Sequence, residues 1–248
     1  MAWVTYANND VYFKAALVLR QSFETQYPFI IMIPRDYHPI IQYKHHNVIV
    51  KRVKPLDRDH GSVPRYSACI NKLYVWTLTQ YNRVCWLDSD MIVMKNIDHI
   101  MNVTGTFVAA PGCPCNALNN PRLYTSPERC TYRDKNQTYI NSGLFCVTPC
   151  MDTFNRLLQE DYNQPLADQD VFNKFFEGSI TLLPYTYNYM SHLPKAHPEL
   201  DSSDVHVYHF TYDKPWEFKC IAGAIIVDFV QQYAHLRWWA HSRRLYWA

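Results

Sequence analysis

Short apolar runs separated by stretches of helical spacing constrain this chain more than any other feature. Phe29-Ile30-Ile31-Met32-Ile33 is continuously apolar and stops at Pro34, which reads as a strand buried on both faces. Ala2 to Ala7, Val48 to Val53, Val84 to Leu87, Thr106 to Ala110 and Gly143 to Val147 read as further strands. Between them, Tyr12, Ala15, Ala16, Leu19 and Phe23 recur at helical spacing behind the capping cluster Asn8-Asn9-Asp10. Ser67 to Gln80 is a second helix, with Cys69, Leu73, Trp76 and Thr77 on one stripe. Met151 to Tyr162 and Asp168 to Phe176 add two more. The alternation predicts an α/β fold with a mostly parallel central sheet flanked by helices. Ligands of such sheets bind beyond the carboxyl ends of the strands.

The 248 residues suit one such domain with a short appendage. We place the domain at residues 1–218 and a C-terminal helical extension at 219–248. Ile221 to Trp247 mixes aromatic and basic side chains. It is expected to pack back on the domain, with homodimer formation or contact with a membrane surface as the other options. Arg237, Arg243 and Arg244 read as a solvated face.

A balance of 24 basic against 22 acidic residues argues against nucleic acid as a partner. With only 6 glycines, the chain has no glycine-rich phosphate loop. An aromatic share of 15% has two readings, core packing or stacking platforms for sugars and bases. Neither a secretory leader nor a transmembrane run is visible, so a cytoplasmic location and reduced thiols are expected for the 8 cysteines. Cys113-Pro114-Cys115 with the distant Cys130 matches no strong zinc spacing.

Chemistry concentrates at Trp86-Leu87-Asp88-Ser89-Asp90. Carboxylates at i and i+2 of an extended segment project to one side, and here they emerge at a strand end. Two such anions call for a cation between them, and oxygen ligands suit Mg²⁺ or Mn²⁺. Phosphatases of the haloacid dehalogenase type use a similar spelling, but after their first strand. Here several strands come first, and the fifth position is Ile92.

The surrounding blocks are more specific. Asn71-Lys72-Leu73-Tyr74-Val75-Trp76 running on to Asp90 and Asp98, the opening Val4-Thr5-Tyr6-Ala7-Asn8-Asn9-Asp10-Val11-Tyr12, Asn141-Ser142-Gly143, Ala167-Asp168-Gln169, and His209-Phe210 before Lys214-Pro215-Trp216 appear in that order. Together, across Ala2 to Trp216, they resemble glycosyltransferase family 8, the glycogenin-like family. The resemblance implies a single nucleotide-sugar-binding domain of the GT-A type and retaining transfer of a hexose, glucose or galactose, from a UDP-sugar. The acceptor would be a hydroxyl on a saccharide, a protein or a small polyol. It implies Mn²⁺, with Mg²⁺ as the alternative, on Asp88, Asp90 and His209. Tyr6, Asn8, Asn9 and Tyr12 would form the uridine pocket, with Ser89 near the ribose. Lys72 and Arg65 would contact the donor, and Lys214 would stabilise the departing diphosphate. Asn141, Asp168 and Gln169 would hold the donor sugar, Asp168 being the one carboxylate placed to act as nucleophile.

Several positions depart from the family pattern. Ala167 stands where a glycine is common, and Pro165 where a second acidic residue lies. No glycine separates His209 from Lys214, and Met190 replaces a self-glucosylated tyrosine, although Tyr189 is adjacent. Cys113 to Asn136 is an insertion. A separate acceptor is therefore the leading reading. A self-glucosylating primer and a non-catalytic nucleotide-sugar-binding protein are the alternatives.

Overall fold

A computed structural model of the chain describes residues 1–41, 47–56, 68–115, 126–212, 214–217 and 229–245. Seven strands form the main sheet: β1 (Ala2–Tyr6), β2 (Phe29–Pro34), β3 (Val48–Val53), β4 (Val84–Leu87), β6 (Phe107–Pro111), β7 (Ile140–Val147) and β8 (Ile180–Leu182). Their order is β3-β2-β1-β4-β7-β6-β8. The four strands from β3 to β4 run parallel, as do β6 and β8, while β7 lies antiparallel between β4 and β6. Three short strands, β5 (Met91–Val93), β10 (Val207–His209) and β9 (Tyr189–Met190), form a second sheet in that order.

The chain leaves β1 through Asn9, whose side chain accepts from the Tyr12 N–H (3.0 Å) and starts helix α1 (Asp10–Gln21). One face of the main sheet packs on α1 through Phe13, Leu17 and Leu19. The other packs on a helical segment at Cys69–Thr77, on α2 (Met151–Leu157) and on α3 (Asp168–Phe175). There, Trp76, Phe107, Phe145 and Phe176 stack, Phe107 and Phe176 with centroids 4.4 Å apart. Such pairs contribute roughly 0.5–1.5 kcal/mol each beyond their buried area. Much of the aromatic content thus serves the core.

Three expectations change. Cys69–Thr77 is a 3₁₀ helix, in which residues three apart eclipse. Ile70, Leu73 and Trp76 therefore form the buried row. α2 ends at Leu157, five residues early, where the Tyr162 hydroxyl donates to the Leu157 carbonyl (3.0 Å) and turns the chain away. Finally, not all cysteines are thiols. Register sets Cys85 of β4 opposite Cys146 of β7, both fully buried, and they form a disulfide.

The C-terminal helix α5 (Phe229–Arg244) packs against α1 and β5. Ala234 and Trp238 are buried, and the Arg237 guanidinium donates to the carbonyls of Met94 and Ser22. Arg243 and Arg244 are exposed as expected, whereas Arg237 is not on a solvated face. Among the described residues no helix is long and apolar enough to cross a membrane.

Candidate active site

Asp88, Ser89 and Asp90 form the crossing from β4 of the main sheet to β5 of the small one. The Asp88 N–H donates to the Gly143 carbonyl (2.8 Å), and the Phe210 N–H donates to the Asp90 carbonyl (3.0 Å). Strands β7 and β10 thereby fix the backbone that carries both carboxylates. β10 sets His209 opposite Met91, one residue beyond Asp90.

Each carboxylate has a held edge and an edge turned to His209. The Trp86 indole N–H donates to Asp88 Oδ1 (2.7 Å). The Lys72 ammonium lies 3.1 Å from that oxygen and 3.4 Å from Oδ2. The Lys214 ammonium pairs with Asp90 Oδ2 and donates to the Phe210 carbonyl. Opposite them, His209 Nε2 stands 3.4 Å from Asp90 Oδ1 and 3.9 Å from Asp88 Oδ2. The ligand atoms of Asp88, Asp90 and His209 lie within 4.8 Å of one another.

A chain of side-chain hydrogen bonds fixes the His209 tautomer. The Gly143 N–H can only donate, so its partner 3.0 Å away is the oxygen of Asn141. That oxygen also faces Asn188 at 2.8 Å, which must present its NH₂ group. The Asn188 oxygen then faces His209 Nδ1 at 2.9 Å, so Nδ1 carries a proton and Nε2 is the nitrogen turned to the aspartates. In the other direction Asn141 donates to Gln169 (2.7 Å), and Gln169 donates to the Tyr139 hydroxyl (2.7 Å). Tyr139 in turn donates to Asp170 (3.2 Å). Gly143 belongs here for a steric reason as well: a Cβ there would come within 2.6 Å of His209 Cε1.

Lys72, 5% exposed, also lies 3.1 Å from Asp168 Oδ2 and donates to the Ser142 carbonyl and hydroxyl (3.2 and 3.1 Å). Burial opposes its charge, but the carboxylates of Asp168 and Asp88 outweigh burial and raise its pKa. Burial pushes Asp88 up more than Lys72 restrains it. Asp90 is held well below the usual carboxylate range, because Lys214 and His209 overcome its burial.

The structure thus joins Asp88, Asp90, His209, Lys72, Lys214, Asp168, Asn141 and Gln169 in one network. Tyr12 packs edge-on against Trp216, centroids 5.3 Å apart, so the α1 start meets the Lys-Pro-Trp segment. Tyr6 ends β1 half-buried, and burial pushes its phenol up to about 12. Asn8 is exposed and accepts from Asn9, the cap of α1, while Ser89 is buried. Among the described residues no hydrogen bond or ion pair ties Tyr6, Asn8 or Ser89 to the network. Arg65 lies outside the described residues. Sequence reasoning missed Asn188, Tyr139 and the Trp86 indole. Their one signal is that polar groups this deeply buried need partners.

A doubly covered, mostly parallel sheet with paired aspartates where β4 ends defines the nucleotide-sugar-binding class of fold called GT-A. Solved structures agree. The galactosyltransferase LgtC, in complex with donor and acceptor sugar analogues, aligns over 98% of this chain and 96% of its own at a TM-score of 0.65 and 15% identity. The glycosyltransferase GlyE of Streptococcus pneumoniae TIGR4 aligns over 98% of this chain and 63% of its own, at 0.62 and 15%. At such identities the likeness concerns the fold. The profile of glycosyl transferase family 8 matches residues 33–220. Galactinol synthase 1 of Solanum lycopersicum is 27% identical over 237 residues, covering 88% of this chain and 74% of that protein. Galactinol synthase 4 of Arabidopsis thaliana is 26% identical over 248 residues, with the same coverage. The chain belongs to glycosyltransferase family 8.

Proposed function

We propose that the chain transfers a hexose with retention of configuration to a separate hydroxyl acceptor, using a divalent cation held by Asp88, Asp90 and His209. The reading rests on the convergence of two carboxylate oxygens and an imidazole nitrogen within 4.8 Å. A mixed oxygen and nitrogen set favours Mn²⁺ over Mg²⁺. When bound, the cation supplies positive charge to the diphosphate leaving group.

The protein's own groups would do the rest. Lys214 sits beside Asp90 and adds fixed positive charge where the diphosphate leaves. Tyr6, Asn8, Asn9 and Tyr12 would take the uridine, with Ser89 at the ribose. Asn141, Gln169 and Asp168 would meet the sugar hydroxyls, and Lys72 sets Asp168 at a fixed distance from Asp88. Galactose is the favoured sugar, since the relatives are named galactinol synthases and the aligned structure a galactosyltransferase. Glucose comes second. Self-glucosylation at Tyr189 is disfavoured, because that side chain is 1% exposed.

UDP release from a panel of UDP-sugars, with Mn²⁺, Mg²⁺ or EDTA and with saccharide and polyol acceptors, tests the reading. The expected result is metal-dependent release with UDP-galactose that is lost in Asp88→Asn/Asp90→Asn. Absence of Mn²⁺-dependent UDP binding in the wild type would sink it. Asp168→Asn is expected to lower transfer at least about 10²-fold with UDP binding near normal.

A further inference from the structure

A second group of metal-ligating side chains lies outside this site. Cys113 and Cys115 follow the end of β6, Cys130 follows a 3₁₀ turn at Pro127–Arg129, and His197 ends the short helix α4 (Leu193–Ala196). All four are buried, none more than 9% exposed. Their three sulfurs and the imidazole nitrogen lie within 4.8 Å of one another. His197 Nε2 is 3.3 Å from Cys113 Sγ and 3.4 Å from Cys130 Sγ. Around a tetrahedral zinc, with Zn–S about 2.3 Å and Zn–N about 2.0 Å, a sulfur and a nitrogen stand about 3.5 Å apart. The observed spacings are therefore those of ligands sharing one cation.

The surroundings fit the same chemistry. His197 Nδ1 faces Glu199 Oε1 at 3.3 Å, a carboxylate partner that places the proton on Nδ1 and leaves Nε2 bare for a metal. A disulfide would engage two sulfurs and leave the third thiol and the imidazole unexplained. Three soft thiolates and one imidazole select zinc over the hard cations suited to the aspartates.

We infer that Cys113, Cys115, Cys130 and His197 form a closed structural zinc site. With four protein ligands there is no open coordination position, so its role is to pin chain segments together. It ties both ends of the segment 113–130 to α4. Beside it, His192 Nε2 contacts the Cys113 carbonyl (3.1 Å) and Nδ1 contacts the Thr211 hydroxyl (3.1 Å), two residues beyond His209. Arg129, next to Cys130, pairs with Asp170 on the helix that carries Asp168 (3.0 Å). The zinc site would hold one wall of the sugar-transfer centre.

The test is elemental analysis of the full chain, purified without chelator and then dialysed against EDTA. About one zinc per chain is expected to survive, in the wild type and in Asp88→Asn/Asp90→Asn alike, because buried thiolate sites exchange slowly. Cys130→Ser and His197→Ala are each expected to lose at least about 10-fold in zinc affinity. Should those variants fail to fold, cobalt reconstitution of the wild type replaces them, and the sulfur-to-cobalt charge-transfer band of a three-thiolate site is expected. Iron in place of zinc would overturn the inference. So would a chain without zinc that shows a Cys113–Cys130 or Cys115–Cys130 disulfide in a non-reduced peptide map, or a wild type whose cobalt form lacks the thiolate band.

Discussion

Asn188 turns its side-chain oxygen toward His209 Nδ1 at 2.9 Å, and this single contact decides which imidazole nitrogen faces the aspartates. Asn188 is fully buried and touches none of the reacting groups, so it acts by positioning. Asn188→Ala removes the acceptor that holds the ring. Half-saturation by Mn²⁺ is expected to rise by about 10–100-fold, with turnover at saturating metal far less affected. A metal titration of transfer activity reads this directly. An unchanged half-saturation value would mean that Asn188 does not orient the ligand.

Lys72 stands between two carboxylates in the interior, at 3.1 Å from Asp88 and 3.1 Å from Asp168. Its removal leaves the buried Asp168 carboxylate and the partly buried Asp88 carboxylate without the cation they share. Lys72→Met is expected to destabilise the fold by about 3–5 kcal/mol at neutral pH, the range for a broken buried ion pair. Added Mn²⁺ should recover part of the loss by supplying another cation. Urea unfolding with and without metal measures both effects. A variant as stable as the wild type would show that the carboxylates are solvated or protonated.

Legibility in the sequence followed the range of the forces involved. Continuous apolar runs such as Phe29–Pro34 announced the strands, because a doubly covered sheet buries both faces. The aspartates and His209 were legible through their motifs. The relay through Asn188 was not, since it joins β7, the turn before β9 and β10, and depends on where three distant polar groups meet. Cys85 and Cys146 look like thiols in the sequence, because only antiparallel register brings them opposite. His197 gave no signal either: it lies 67 residues from Cys130 and completes a cluster whose cysteine spacing alone was weak.

Ala167 explains why its position so often holds glycine. It caps α3, just before Asp168, at φ 46° and ψ −119°, a conformation that strains any side chain bearing Cβ. Relief of that strain is worth about 1–3 kcal/mol, against about 0.5–1 kcal/mol for the extra freedom of an unfolded glycine. Ala167→Gly is therefore expected to raise stability by about 1 kcal/mol. Its chemical denaturation midpoint beside that of the wild type decides the matter. Equal or lower stability would mean that the turn relaxes around alanine.

His192 gives the fold a pH dependence. Burial pushes its pKa down to about 4, from an ordinary value of 6.5, and its ring lies against the Cys113 carbonyl and the Thr211 hydroxyl. The unfolded chain thus binds a proton more readily than the folded one. The stability that follows is fully present above pH 6.5 and is lost as pH falls toward about 4. Between pH 7 and pH 5 this group alone is expected to remove about 2 kcal/mol. His192→Gln keeps a polar side chain there without the titration. Urea midpoints at the two pH values should separate less in that variant than in the wild type, by an amount worth about 2 kcal/mol. Equal separations would place the acid sensitivity on other groups.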